Sequence, residues 1–496
     1  MKMTVGEIRR ACGGKLLCGD PEAVVTSVST DSRKIEPGAL FVPIKGERTD
    51  AHAYITATFA AGAVATLTEE HTEMKDSNAW IRVPSTLSAL QLIATAHRAR
   101  FSIPVVGVTG SVGKTTTKEM IALALSAEKN VMRTEGNHNS QVGLPLTIFR
   151  LGPEHEAAVV EMGMSDFGEM SRLAEIAAPD YAVITNIGIS HIQQLKTQQN
   201  ILGEKLHIID RFREDSILFL NGDDPLLANL RGKLRVRTQY FGMQPWCDYR
   251  AEKIAFHPNG IHFVFRAKGV EQEVELPVLG LHNVTNALAS LAVSHSLGVD
   301  LGKAAKALQE YQPLAMRQQL HRHNGITVVD DSYNASPDAI KSSLDMLESL
   351  REQDGRCLAV LADMLELGEL EHRAHFEVGA YAAKTGLDVL VTVGERAAAI
   401  AEGARSVRPE IPCHVCHANE EAAEVLKSIL RRGDIVLVKG SRGMHTDEIV
   451  KKFSGTSVKS FCEREHKNYK LVIILKNRAQ TAGVFLCLRT VFVRLF

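Results

Sequence analysis

The residues whose types and spacing most directly suggest chemistry lie between Val105 and Lys118, in the string V-V-G-V-T-G-S-V-G-K-T-T-T-K. An apolar run there gives way to Gly110 and Gly113, which allow the backbone to curve closely around a bound group. The backbone N–H groups of such a loop, at the start of a helix, bind phosphate oxygens. The segment therefore predicts a buried strand, a phosphate-binding loop of a nucleotide site and the first turn of a helix.

The side chains of this loop have distinct expected roles. Lys114 can reach the β- and γ-phosphates and Thr115 can hold Mg²⁺, while Ser111 and Thr116 complete the predicted nucleotide-binding set. The loop has the form G-x-x-G-K-T, because Val108 occupies the first glycine position of the usual pattern G-x-x-x-x-G-K-[ST]. The alternative is a glycine turn before an ordinary helix, and the strand before the loop and the threonines after it disfavour that alternative.

Two other apolar runs lead to side chains that can bind a metal ion. Residues 157–160 precede Glu161, and the run at 181–187 continues to His191. Parallel strands end at a common edge of their sheet, where α/β proteins bind ligands. A lone Glu or His at the end of a strand is ordinarily a polar residue at the edge of the sheet with no function. The preceding phosphate loop favours a functional role instead. Glu161 and His191 are therefore expected to offer an oxygen and a nitrogen ligand to metal ions.

Lys205 stands in a predicted helix. Apolar residues recur at helical spacing over 201–209, and Lys205 falls on the other side of that pattern. From the residues alone, this placement favours a lysine that projects into solvent.

The composition is that of a folded chain of several domains. Its 496 residues are 45% apolar, which is enough for a core in each of about three domains. The 57 basic and 58 acidic residues nearly cancel, so charge indicates no nucleic-acid partner. The N-terminus lacks the apolar core of a signal peptide, and no apolar run is long enough to span a bilayer. We expect a cytoplasmic protein with no integral membrane segment, acting as a monomer.

The order of strand-like and helix-like segments predicts an α/β protein of three domains. Residues 1–100 suit a small α/β domain, and residues 101–315 alternate strands and helices, as a parallel sheet that carries the phosphate loop requires. Residues 316–453 predict a second, doubly wound α/β domain, with polar residues at the carboxyl ends of its strands.

Two polar turns outside the phosphate loop are candidate binding sites. In the first domain, Ser32 and Arg33 belong to S-T-D-S-R, which suits a diphosphate or uracil, although such a turn alone is more often an ordinary turn. In the last domain, Asp331, Tyr333 and Asn334 belong to D-D-S-Y-N-A-S-P, which follows a predicted strand.

Residues 454–496 differ in character from the chain before them. They contain eight Lys and Arg and two Glu, a net charge of +6. Their apolar runs at 471–475 and 484–488 are short and β-prone, and suit neither a membrane span nor a capping helix. A basic tether to a membrane surface is the alternative, but we expect an atypical basic tail outside the main fold that promotes aggregation when exposed.

These motifs, taken in order, resemble the Mur ligases of peptidoglycan synthesis over roughly residues 1–453. The resemblance implies a UDP-sugar-binding domain at 1–100, a central ATP-binding domain at 101–315, and a domain at 316–453 that closes over both and binds the incoming amine. The motifs that carry the resemblance are the phosphate loop, Glu161, His191, Lys205, the turns L-N-G-D-D and G-L-H-N-V-T-N-A, and D-D-S-Y-N-A-S-P.

The resemblance also implies how the metal site is built. Lys114 would contact the ATP phosphates, Thr115 and Glu161 would hold one Mg²⁺, and His191 would serve a second Mg²⁺. Lys205 corresponds to a lysine that the family carbamylates, which replaces a repelling ammonium by an anionic oxygen ligand. Lys114, His191 and Lys205 are thus the implied catalytic residues.

Other residues are implied to bind the organic ligands. Asn283 or Asn286 would meet the adenine of ATP, Asp331 its ribose and Arg317 a phosphate. Ser32 and Arg33 would lie near the UDP portion of the substrate. Tyr333 and Asn334 begin the string Y-N-A-S-P, which stands where this type of ligase usually has Y-N-A-N-P. One departure from the family is Lys196, which stands where a Gly is usual.

The implied activity is the ATP-dependent ligation of D-alanyl-D-alanine to a UDP-N-acetylmuramoyl-tripeptide through an acyl phosphate. A sister ligase that adds a diamino acid to the UDP-linked dipeptide is the nearest alternative, but it usually carries D-N-P-R, which this chain lacks. A folate polyglutamate ligase normally lacks the N-terminal domain. A non-catalytic P-loop binding module is disfavoured because Glu161, His191 and Lys205 are all present.

Overall fold

The computed structural model describes residues 1–46, 49–257, 259–351 and 355–453. The predicted basic tail, 454–496, lies outside the described residues. Within them, three open β-sheets flanked by helices follow one another along the chain, beside one two-stranded ribbon. This arrangement confirms the predicted α/β class with three domains.

The first sheet has five strands, which are parallel except for one antiparallel edge pair. A capping box begins the first helix, because the Thr4 hydroxyl accepts from the Glu7 N–H at 3.2 Å and the Glu7 carboxylate accepts from the Thr4 N–H at 2.8 Å. In sheet order the strands are Lys15–Cys18, Ala79–Arg82, Ala65–Thr68, Ala39–Phe41 and Ser27–Ser29, and Met3–Thr4 pairs with Val24–Val25 as a separate ribbon. The helices are Val5–Cys12, Ile55–Ala60 and Thr86–Arg98, with a 3₁₀ turn at Ala51–Tyr54.

The second sheet has nine strands, and the phosphate loop follows the seventh strand in sheet order. Val106 and Val108 face one buried cluster and Val105 the other, so both faces of the sheet are covered. In sheet order the strands are Val270–Leu276, Gly260–Ala267, Tyr249–His257, Arg237–Gly242, Ile217–Asn221, Tyr181–Ile184, Val105–Thr109, Ala157–Glu161 and Val131–Arg133. The helices are Lys114–Leu125, Gly143–Ile148, Glu169–Ala177, Ile192–Leu195, Gln198–Leu206, Pro225–Ala228, Leu281–Ser296 and Leu301–Leu308, with a 3₁₀ turn at His207–Ile209.

The central sheet is mixed, whereas the sequence predicted a parallel one. Gly260–Ala267 pairs antiparallel with both of its neighbours, Tyr249–His257 and Val270–Leu276. The connections there are only a few residues long, and a parallel pair requires a crossover of a dozen or more residues. The antiparallel strands therefore form one margin of the sheet, and the strands around the phosphate loop are parallel.

The third sheet has six strands and is doubly wound, as predicted. Along the strand Cys357–Ala362, Leu358 and Val360 belong to one buried cluster and Ala359 and Leu361 to the other, so helices cover both faces. In sheet order the strands are Gln319–His323, Ile326–Asp330, Ile435–Lys439, Cys357–Ala362, Val389–Val393 and Cys413–Cys416. The helices are Pro337–Ser349, Glu371–Ala382, Ala398–Val407, Asn419–Ile429 and Asp447–Phe453, with 3₁₀ turns at Gly368–Leu370 and Arg442–Met444.

The strands and helices of the three sheets fall within 1–100, 101–315 and 316–453, which we retain as proposed domain boundaries. In the described ranges, no helix is both long and apolar enough to cross a membrane.

Candidate active site

The phosphate loop joins the strand Val105–Thr109 to the helix Lys114–Leu125, as predicted. Gly110 has φ of +147°, and a Cβ atom there would collide with the hydroxyl of Thr185, so only glycine fits. Gly113 has φ of +85° and turns the chain into the helix. The loop therefore presents its backbone at a helix N-terminus, where anions are stabilised.

The end of the neighbouring strand, Tyr181–Ile184, holds the phosphate loop in shape. The carbonyl of Asn186 accepts from the Ser111 N–H at 3.1 Å, and its side-chain oxygen accepts from the Val112 N–H at 2.9 Å. The Ser111 hydroxyl in turn accepts from the Gly188 N–H at 2.8 Å. Asn186 had no predicted role, although its position directly after a strand is a signal that could have identified it.

Two lysines converge on one carbonyl oxygen of the loop. Lys114 Nζ donates to the carbonyl of Gly110 at 2.7 Å, and Lys205 Nζ donates to the same oxygen at 3.2 Å. Burial lowers the pKa of Lys114 although part of its side chain faces the cleft. Lys205 is only 2% exposed, and burial, with the charge of Lys114, places its pKa well below the ordinary value. The interpretation of Lys205 as a solvated lysine is wrong.

Glu161 is a buried carboxylate with one oxygen left without a donor. Its backbone N–H donates to the Thr134 hydroxyl at 3.0 Å, and its Oε1 accepts from the Asn139 amide at 2.7 Å. Within the described residues, Oε2 is buried and has no hydrogen-bond partner. A buried anionic oxygen requires a compensating partner, and a cation satisfies that requirement.

His191 faces the third domain as well as the cleft. Its Nδ1 lies 2.6 Å from Oε2 of Glu366, close enough for an ion pair although the geometry is not that of an aligned hydrogen bond. The contact with His191 lowers the pKa of Glu366. Glu366 was not among the predicted residues, and its signal in the sequence is its place in the loop after the strand Cys357–Ala362.

The two predicted adenine residues belong to a hydrogen-bonded chain that joins two helices. Asn286 Oδ1 accepts from the Thr117 hydroxyl at 3.0 Å, and Asn286 Nδ2 donates to Asn283 Oδ1 at 3.2 Å. Asn283 Nδ2 donates to the Leu279 carbonyl at 2.7 Å. The chain fixes the helix Leu281–Ser296 against the helix that follows the phosphate loop.

Asp331 is buried in the third domain beside a buried lysine, Lys439. Its Oδ2 accepts from Lys439 Nζ at 2.5 Å and from the Ser343 hydroxyl at 2.7 Å. Asp331 and Lys439 are 7% and 4% exposed, respectively. The carboxylate is therefore held in one orientation by its protein partners.

Arg317, Tyr333 and Asn334 line the cleft on the side of the third domain. The Arg317 guanidinium carbon lies 4.1 Å from the centre of the Tyr333 ring, a cation–π contact that orients both groups. The Asn334 side-chain oxygen accepts from the N–H of Ala335 at 2.9 Å. Ser336 then caps the helix Pro337–Ser349, which explains the serine and proline that follow Tyr333 and Asn334.

Ser32 and Arg33 are held differently from the residues above. The Arg33 side chain is 85% exposed and makes two hydrogen bonds to Asp31, at 2.8 and 2.9 Å. This pairing lowers the pKa of Asp31 to about 2. Ser32 and Arg33 are on the surface of the first domain and do not line the central cleft.

A cleft of about 990 Å³ between the central and third domains brings most of the predicted residues together. Gly110, at the start of the phosphate loop, and Lys205, which lies behind that loop, do not line the cleft. The predicted residues that line the cleft are Ser111, Gly113, Lys114, Thr115, Thr116, Glu161, His191, Asn283, Asn286, Arg317, Asp331, Tyr333 and Asn334.

Family comparisons match each of the three sheets in turn. Residues 24–98 match the catalytic domain of the Mur ligase family, residues 108–294 the Mur ligase middle domain, and residues 316–442 the Mur ligase glutamate ligase domain. With the nucleotide loop and the cleft between the second and third sheets, these matches define an ATP-dependent ligase fold. The chain belongs to the Mur ligase family.

Its relatives carry a more particular name. A protein of Bacillus subtilis (strain 168), UDP-N-acetylmuramoyl-tripeptide–D-alanyl-D-alanine ligase, is 40% identical over 456 residues, which cover 91% of this chain and 98% of the relative. Crystal structure I of MurF from Acinetobacter baumannii superimposes with a TM-score of 0.85 at 28% identity, covering 92% of this chain and 99% of that chain. MurF ligase from Thermotoga maritima in complex with ADP gives a TM-score of 0.77 at 30% identity, covering 87% and 97%.

Proposed function

We propose that this protein is the ligase that uses ATP to join D-alanyl-D-alanine to a UDP-N-acetylmuramoyl-tripeptide in the synthesis of peptidoglycan precursors. The observation that carries the proposal is the Bacillus subtilis relative of that name, 40% identical over 91% of this chain. We further propose a monomer as the active form. Because ATP and UDP-linked precursors are cytoplasmic metabolites, we place the reaction in the cytoplasm.

The reaction activates a carboxylate and then joins it to an amine. The terminal carboxylate oxygen of the tripeptide takes the γ-phosphoryl group of ATP, ADP leaves, and an acyl phosphate forms. The amine nitrogen of D-alanyl-D-alanine then attacks the acyl carbon, the C–O bond to phosphate breaks, and the nitrogen loses a proton as the amide forms. The protein contributes mainly positioning and electrostatic stabilisation to both steps.

The phosphate loop is the proposed site of the ATP phosphates. We assign Ser111, Gly113 and Thr116 to the phosphates, the last two through their N–H groups, because they lie at or beside a helix N-terminus in the wall of the cleft. Lys114 Nζ, which donates to two carbonyl oxygens of its own loop, is close enough to exchange those partners for a phosphate. Its charge would offset the negative charge that moves during phosphoryl transfer.

The residues around the loop fit a site for two Mg²⁺ ions. Glu161 Oε2 is a buried carboxylate oxygen without a donor among the described residues, which supports its role as a ligand beside Thr115. His191 would serve the second ion. When bound, Mg²⁺ neutralises phosphate charge and orients the transferred group.

The environment of Lys205 supports its carbamylation. Its lowered pKa favours the neutral amine, and only a neutral amine nitrogen can form a bond to the carbon of CO₂, losing a proton to give the anionic carbamate. A protonated Lys205 would be repelled by Lys114, with which it shares the Gly110 carbonyl, whereas a carbamate is attracted to that cation and adds an oxygen ligand.

Other residues of the cleft and of the first domain are proposed to bind the organic parts of the substrates. We assign Asn283 or Asn286 to adenine, Asp331 to the ribose and Arg317 to a phosphate. Closure of the third domain over the cleft would exclude water that hydrolyses the acyl phosphate. Tyr333 and Asn334 are assigned to the incoming dipeptide, and Ser32 and Arg33 to the UDP portion.

A substrate panel tests the proposal. Purified protein, ATP and Mg²⁺ are combined with the UDP-linked tripeptide and D-alanyl-D-alanine, or with the UDP-linked dipeptide and a diamino acid. We expect ADP release only with the first pair, measured by a coupled assay and by mass spectrometry of the amide product. Equal turnover with the second pair would assign the protein to the sister ligase, and ADP release with neither pair would support a binding module.

A further inference from the structure

Glu366 belongs to the third domain, and its carboxylate contacts His191 of the central domain. Its Oε2 lies 2.6 Å from Nδ1 of His191. That ring nitrogen is buried and has no aligned hydrogen bond within the described residues, so the carboxylate is the anion that faces it. A second contact accompanies the first, because the Gln193 N–H donates to the backbone carbonyl of Glu366 at 3.3 Å.

The backbone on both sides of this contact has an unusual conformation. His191 has φ of +62° and Glu366 has φ of +64°, values that residues other than glycine rarely adopt. Such conformations persist where the surrounding structure imposes them, and they concentrate at functional sites. Because both partners share this conformation, the backbones of two domains specify the contact, which sets it apart from a chance meeting of two flexible surface side chains.

The chemistry of the pair matches that of a supported metal ligand. A histidine that binds a metal commonly gives its other ring N–H to a carboxylate, which fixes the tautomer and the ring orientation and strengthens the ligand. With Nδ1 facing Glu366, the nitrogen of His191 that remains for a metal is Nε2. His191 lines the same cleft as Glu161, the proposed metal ligand at the end of the strand Ala157–Glu161.

We propose that Glu366 is a positioning residue that orients His191 for metal binding. Since Glu366 belongs to the third domain, the second metal position would be complete only when that domain lies against the central one. Metal binding and domain closure are therefore coupled through one side-chain contact. This inference rests on the proposed ligase function and deepens it by adding a residue that touches neither substrate nor metal.

Binding of Mn²⁺ tests the role of Glu366 without relying on turnover. The full chain is titrated with Mn²⁺ in the presence of a non-hydrolysable ATP analogue and the UDP-linked tripeptide, and bound ions are counted by electron paramagnetic resonance. Glu366→Ala should lower the affinity for one of the two Mn²⁺ ions by about 10- to 100-fold, because loss of a group that supports a metal ligand typically has an effect of that size. Glu366→Gln should lie between Ala and wild type, because its amide oxygen can still accept from Nδ1–H but carries no charge.

Glu369→Ala is the matched control. Glu369 is an exposed carboxylate three residues further on and has no ion pair in the described part of the chain. We expect this variant to bind both ions like wild type, and all three variants to keep the wild-type midpoint of thermal unfolding. Wild-type Mn²⁺ affinity in Glu366→Ala, or an equal loss in Glu369→Ala, would overturn the positioning role. A wild-type protein that binds fewer than two Mn²⁺ ions would overturn the proposed two-metal site, and this inference with it.

Discussion

The phosphate loop of the central domain and the S-T-D-S-R turn of the first domain hold their cations in opposite ways. Lys205 is buried, Lys114 is partly buried, and burial lowers the pKa of both. Arg33 is 85% exposed on its side chain and is neutralised by its neighbour Asp31. The loop is thus organised by contacts between distant parts of the chain, whereas the turn is organised by residues two positions apart.

This difference predicts different consequences of mutation. A buried cation whose surroundings are already arranged contributes to the transition state without further reorganisation, so its loss should lower kcat. An exposed cation contributes to binding in the ground and transition states alike, so its loss should raise KM.

Lys114→Ala should have the largest effect. Loss of one preorganised electrostatic donor typically lowers kcat by about 10²- to 10³-fold, or about 2.7–4 kcal/mol of transition-state stabilisation. ADP release at saturating substrates measures the change, with exposed Lys233→Ala as the control that should keep wild-type activity. A near-native kcat in Lys114→Ala would show that Lys114 does not act on the ATP phosphates. The contrast between the buried cation of the loop and the exposed cation of the turn would then fail.

Lys205→Ala should lose most of its activity, by about 100-fold if the carbamate is a metal ligand. Formate or acetate should restore part of it, because a small carboxylate can occupy the anionic position that the substitution vacates. Activity is measured against carboxylate concentration, with Lys233→Ala under the same acids as the control. Full activity without added carboxylate would show that a buried Lys205 has no catalytic role.

Arg33→Ala should raise KM for the UDP-linked acceptor by about tenfold and leave kcat unchanged, because it removes a charge-assisted hydrogen bond from ground and transition states alike. Steady-state kinetics with the acceptor varied give both constants. A fall in kcat with constant KM would show that Arg33, like the buried lysines of the phosphate loop, acts mainly in the transition state.

The pKa of Asp31 provides an internal control for that variant. Arg33 lowers it to about 2, so Arg33→Ala should return it towards the ordinary value of 3.8, measured by carbon NMR of labelled aspartate. Because the folded-state pKa is lowered, the pair stabilises the fold above about pH 3.8 and loses that contribution as the pH falls to about 2. An unchanged Asp31 pKa in the variant would mean that the two residues are not paired in solution.

Lys196→Gly should have the smallest effect and should stabilise the protein. Lys196 has φ of +71° at the centre of a tight turn in which the Thr197 N–H donates to the Leu195 carbonyl at 2.9 Å. Relief of about 1–2 kcal/mol of backbone strain, less about 0.5–1 kcal/mol for the entropy of glycine, leaves a gain of up to about 1.5 kcal/mol. Chemical denaturation measures it, and exposed Lys34→Gly, where φ is not positive, should lose stability instead.

Local patterns were sufficient to predict much of this protein. The spacing of Gly110, Gly113 and Lys114 identified the nucleotide loop, because one short segment supplies the strand, the turn and the helix start. Alternating strands and helices identified the α/β class and the doubly wound third sheet. The usual glycine at the position of Lys196 is explained by a positive φ, which is also a local property.

Tertiary structure alone decided which side chains are buried and which face each other. Helical spacing shows which face of the helix Gln198–Leu206 is apolar, but it does not show what covers the other face. Lys205 is buried because the phosphate loop, 95 residues earlier in the chain, packs over it. The contact of His191 with Glu366 and the antiparallel margin of the central sheet likewise depend on how separate segments meet, and a pattern within one segment carries no information about its partner.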